Sequence, residues 1–184
     1  MKRGLFLTLL FSVLLVGTTF AQDSEPKLTI VKFSDYQCPA CKYYKGIIEL
    51  AKQDFGDDIK VVYKNFPLRM HQFAELAARA AEAAKKQGKF DEMHEMIFTG
   101  QEQWSRGNAQ GIFIGYAQQL KLDMEMFKQD LNSAQMNRIV LADKREGISL
   151  GVNSTPTIYI NGEKIERLPR TYDGFKAILE ARLK

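Results

Sequence analysis

Two cysteines stand two residues apart in Cys38-Pro39-Ala40-Cys41, and they are the only cysteines in the 184-residue chain. A pair at this spacing can cycle between dithiol and disulfide, or supply two soft ligands to a metal. A purely structural bridge explains it poorly, because so small a loop removes little entropy from the unfolded chain. The backbone around the pair decides which chemistry is favoured. An apolar run ends just before it and a helix-periodic run begins just after it. A strand that delivers Cys38 to the first turn of a helix sets its sulfur among unpaired N–H groups, at the positive end of the helix dipole. Both favour thiolate. Pro39 suits the first helical position, where its missing N–H has no intrahelical partner to lose. Cys38 therefore reads as the exposed nucleophile and Cys41, one turn in, as the resolving thiol.

The elements that must hold this pair follow from periodicity. Lys27 to Phe33 is apolar on both faces and predicts a strand in the middle of a sheet. Pro39 to Phe55 has Tyr43, Tyr44, Ile47, Ile48 and Ala51 at helical spacing, and Gly56-Asp57-Asp58 stops it. Ile59 to Phe66 predicts a second strand, ended by Pro67. Strand, helix and strand make a βαβ unit with a right-handed crossover. Five helices are expected next, over 72–86, 90–98, 110–120, 123–132 and 133–150, with Trp104 on a loop between them and no strand before Thr155. Thr157 to Ile160, the turn Asn161-Gly162 and Glu163 to Leu168 predict a hairpin, and a last helix spans 174–183. The expected class is α/β: a mixed sheet with helices packed on it.

The N-terminus predicts export. Lys2 and Arg3 precede an apolar stretch from Leu5 to Val16, and Thr19 and Ala21 give the small-residue spacing of a cleavage site. The apolar stretch is shorter than the ~20 residues that cross a bilayer. Removal of residues 1–21 would leave one domain, 22–184. It would also take 26 basic residues to 24 against 22 acidic, a net charge of +2. That balance gives no electrostatic footprint for nucleic acid.

Phe33-Ser34-Asp35-Tyr36-Gln37-Cys38-Pro39-Ala40-Cys41, followed far downstream by Gly151-Val152-Asn153-Ser154-Thr155-Pro156-Thr157, resembles the DsbA-like thiol:disulfide oxidoreductases of the bacterial cell envelope. The resemblance implies a thioredoxin fold with an all-helical insertion, about 68–150, between its βαβ and ββα halves. It implies catalysis by Cys38 and Cys41, no cofactor beyond the redox-active Cys38–Cys41 disulfide, and no metal. It implies that Thr155-Pro156 is a cis-proline loop against the redox pair, binding substrate. The partners implied are reduced exported proteins and a quinone-linked membrane reoxidase of the DsbB-like kind, in the periplasm or another extracytoplasmic space. The short lead before the first strand favours a monomer and an oxidase; Thr155 is also compatible with a reductase or isomerase.

One position departs from that family. Its members typically carry an acidic residue six positions before the first cysteine, where this chain has Lys32. A lysine inside a central strand is costly unless it is paired or reaches water. Either it lies near the dithiol and favours thiolate, making the disulfide more oxidising, or it faces away towards a carboxylate. Asp35 reads as a polar loop residue, His71 as structural, and Tyr36, Tyr43 and Phe66 as groove-lining or core. A reading from another class is an envelope metal-binding protein using Cys38, Cys41, His71 and His94, although their spacing fits no closed zinc site.

Overall fold

Strand β1 (Leu28–Ser34) is the centre of the molecule, and its two-residue alternation decides what each face carries. The structure is a computed structural model that describes residues 25–184; the expected signal segment lies outside the described residues. β1 pairs in parallel with β2 (Ile59–Asn65) and antiparallel with β3 (Thr157–Ile160), which pairs with β4 (Glu163–Lys164), giving the sheet order β2-β1-β3-β4. Helix α1 (Pro39–Phe55) makes the crossover between β1 and β2.

Leu28, Ile30 and Lys32 share one sheet face with their β3 neighbours Ile160 and Ile158. That face packs against Tyr44, Ile47, Ile48 and Ala51 of α1 and Phe175 and Leu179 of α8 (Tyr172–Leu183). Val31, Phe33 and Tyr159 point the other way, onto Phe66 and Val152. There α7 (Ala134–Ser149) comes close enough that only a glycine fits at 147: an added Cβ would lie 2.8 Å from the Phe66 ring and 3.0 Å from Phe33. Two buried rings cannot yield like a flexible side chain, so Gly147→Ala is expected to destabilise by about 1–3 kcal/mol, read from denaturant midpoints.

Between β2 and β3 the chain is helical, as expected: α2 (Ala74–Lys85), α3 (Phe90–Thr99), α4 (Gln101–Trp104), α5 (Ala109–Gln119), α6 (Met124–Leu131) and α7. Their shared core joins the alanines of α2 to Met93, Ile97, Phe98, Trp104, Phe113 and Phe127. Asp123 and Ser133 cap α6 and α7, each accepting an amide hydrogen bond in the first turn.

Two expectations need correction. Trp104 belongs to the short helix α4 and is fully buried, its indole N–H donating to Ile97 O at 2.7 Å. The second hairpin strand ends at Lys164 rather than Leu168. One further rung forms, Ile165 N–H to Ile158 O; the chain then turns away so that Leu168 packs on the α8 side of the sheet, before Pro169. An edge strand that leaves early presents less unpaired backbone.

Candidate active site

Cys38 is the N-cap of α1, with extended backbone, and Pro39 is the first helical residue. The amides of Cys41 and Lys42 donate to Cys38 O. Both cysteines are free thiols, Cys38 with 7% exposure and Cys41 with none. Burial separates their chemistry. Cys38 is lowered to about 5, chiefly by the hydrogen bond from Cys41, with help from Thr155 and from the amides of Ala40 and Cys41, against the cost of its own desolvation. Cys41 is pushed well up, first by burial and then by donating that hydrogen bond. The pair thus holds one thiolate, on the outer sulfur, at neutral pH.

The Thr155–Pro156 bond is cis, and Thr155 O lies 3.5 Å from Cys38 Sγ. The loop after α7 therefore meets the redox pair from β3's end of the sheet. The Thr155 hydroxyl is buried without another partner, free to serve a thiolate.

Lys32 is on the α1 face and turned towards the dithiol. Its Nζ donates to Cys41 O at 3.2 Å and lies 5.3 Å from the Phe98 ring centroid and 6.0 Å from that of Tyr63. The side chain is wholly buried and, among the described residues, forms no ion pair with a carboxylate. The outward-facing alternative is therefore corrected: strand alternation puts position 32 on the α1 side of the sheet, where its ammonium meets the Cys41 carbonyl and the Phe98 and Tyr63 rings instead of a carboxylate. Burial lowers its ammonium to about 8, opposed by the attraction of Cys41 and Cys38.

Asp35, expected as an ordinary loop residue, is 1% exposed. Its carboxylate accepts from Gln37 N at 2.7 Å, from Leu68 N at 2.7 Å and from His71 Nδ1 at 2.8 Å. Its amide donates to Cys41 Sγ at 3.5 Å, and its carbonyl accepts from Cys38 N. One residue therefore ties the dithiol to the loop after β2. Gln101 was not anticipated either: from α4 its amide nitrogen donates to Tyr36 O at 2.7 Å and Cys38 O at 3.0 Å, bracing the redox turn from the helical block. A buried glutamine 63 residues from its partner leaves no periodic trace.

The other candidates separate. Tyr36 and Phe66 are core residues, whereas Tyr43 is 55% exposed on α1. His94 Nδ1 shares a hydrogen bond with Tyr36 OH (2.7 Å) among the rings of Tyr63, Phe90 and Phe98, and burial holds it well below the usual histidine range. His71 is committed to Asp35. Neither histidine joins the cysteines, and the described residues contain no cluster of three or more metal-ligating His, Cys, Asp or Glu side chains.

Comparison with known proteins places this architecture. The family profile described as Thioredoxin matches residues 17–181. The chain superposes on oxidised BdbD of Bacillus subtilis with a TM-score of 0.75 at 29% identity, covering 86% of this chain and 89% of that one. A thioredoxin-like oxidoreductase of Silicibacter pomeroyi gives 0.70 at 25% identity, covering 87% and 89%. Oxidoreductase DsbA of Xylella fastidiosa, at 16% identity and a TM-score of 0.69 over 89% and 87%, shares the fold. Curated relatives include Na(+)/H(+) antiporters NhaA of Mycobacterium sp. (36% identical, 77% of this chain) and Herminiimonas arsenicoxydans (35%, 85%). The chain spans about a quarter of their length (23% and 24%), and no helix among the described residues is long and apolar enough to cross a membrane. With the profile covering nearly all of the described chain and the helices α2–α7 set between β2 and β3, this protein belongs to the thioredoxin family, in its DsbA-like form.

Proposed function

We propose that the chain is a thiol:disulfide oxidoreductase acting outside the cytoplasm after removal of residues 1–21, and that it works as an oxidase of exported proteins. The observation that carries this reading is the unequal pair: Cys38 stands at the N-terminus of α1, 3.5 Å from Thr155 O, while Cys41 is wholly buried, an asymmetry that lowers the Cys38 thiol and raises that of Cys41. In the oxidised protein a substrate thiolate attacks Cys38 Sγ and the electron pair of the Cys38–Cys41 bond leaves on Cys41. A second substrate thiolate then attacks the substrate sulfur of the mixed disulfide, and Cys38 leaves as a stable thiolate. Its low basicity makes it a good leaving group and draws electrons to this protein, the oxidising direction.

Lys32 acts in the same sense, as a cation beneath the dithiol that favours the reduced, thiolate-bearing state. The Thr155-Pro156 loop is the substrate-side wall of the site, its backbone offered to an extended peptide. A quinone-linked membrane partner of the DsbB-like kind restores the disulfide, and the protein acts as a monomer. The test is catalysis on two substrates, one reduced and unfolded, the other carrying scrambled disulfides. Stoichiometric oxidation of the first, with little reshuffling of the second, is expected; the reverse preference would assign the protein to the isomerase or reductase branch.

A further inference from the structure

His71 stands in a setting that the scheme above leaves unused. Its Nδ1 is held at 2.8 Å by the fully buried Asp35 carboxylate, so that nitrogen carries the proton and Nε2 is left as the acceptor. The imidazole is partly exposed and lines a cleft of about 340 Å³ with Gln37 and Pro39, the residues on either side of Cys38. A ring nitrogen left as acceptor on an imidazole oriented by a buried carboxylate, in a cleft lined by both sequence neighbours of Cys38, has the arrangement of a proton acceptor.

We propose that His71 accepts the S–H proton of the incoming substrate thiol; this rests on the reading of Cys38 as the attacked sulfur. The substrate sulfur loses its proton to His71 Nε2 and bonds to Cys38 Sγ. The Cys38–Cys41 bond breaks, with its electron pair on Cys41 Sγ beside the Asp35 amide. Substrate sulfur is oxidised, Cys41 is reduced, and the imidazolium releases its proton to water. Asp35 is the positioning residue for both ends, through its carboxylate to His71 and its amide to Cys41. The other charges near the base are Glu102 and Arg106, which line the same cleft, and Lys144 of α7, which donates to Pro67 O of the same loop.

The test compares two thiols as substrates of the oxidised protein. Thionitrobenzoate is already ionised at neutral pH and needs no base; N-acetylcysteine amide is largely protonated and does. In His71→Asn the amide nitrogen can still donate to Asp35, but the distal acceptor is gone. The ratio of the alkyl-thiol rate to the thionitrobenzoate rate is expected to fall by about 10²-fold. An unchanged ratio would overturn the role of His71. That result would not touch Cys38, whose role fails only if Cys38→Ser still oxidises substrate.

Discussion

Cys38→Ser is expected to lower the rate of oxidation of a reduced, unfolded protein by on the order of 10³-fold or more, to the uncatalysed level. The hydroxyl cannot be attacked as a disulfide sulfur, and the one cysteine that remains, Cys41, is fully buried and has no partner with which to form a disulfide. Cys41→Ala should behave differently. It leaves Cys38 able to form a mixed disulfide but removes the hydrogen bond that contributes most to the low Cys38 value of about 5. Its Cys38 should therefore titrate at higher pH and remain trapped on substrate. A Cys38→Ser protein that still oxidised substrate at the original rate would end the scheme.

The second large effect concerns Lys32. Methionine at this position has a similar length, fits among Phe98 and Tyr63, and carries no charge. In the reduced protein, burial lowers the Lys32 ammonium from 10.5 to about 8, so the folded state holds that proton less tightly than the unfolded chain does. The unfolded state binds more protons, and the cost is full below the folded value and disappears as pH rises from about 8 to 10.5. Lys32→Met is therefore expected to stabilise the reduced protein at pH 7 by about 2–3 kcal/mol, an advantage that fades across that alkaline window. The same change removes a cation that favours thiolate. The glutathione equilibrium should move roughly tenfold, or about 30 mV, towards the disulfide. Stability gained together with oxidising power lost is the signature; loss of both would mean that the Cys41 carbonyl contact outweighs the buried charge.

The central strand, the helix carrying Cys38-Pro39-Ala40-Cys41 and the helical block were legible because each announces itself locally, by alternation, by helical spacing or by a cap such as Asp123. Lys32 was legible only halfway. Alternation could assign it to a face, but whether Cys41 or a carboxylate waited there depended on where α1 sat. Asp35 and His71, 36 residues apart, meet because the loop after β2 folds back over the redox turn, and no short-range pattern encodes that. Gln101 escaped notice for the same reason. The hairpin was overextended because Ile165 and Leu168 look like strand residues, whereas Leu168 serves the α8 core instead.

The equilibrium of the Cys38–Cys41 pair with glutathione tests the central claim most directly, since it reads the stability of the Cys38 thiolate as a potential. The unequal pair predicts a disulfide well above the roughly −270 mV of thioredoxin, one that glutathione reduces readily. A potential at or below that value would contradict it, because a thiol held near 5 beside a buried Lys32 could not belong to so stable a disulfide.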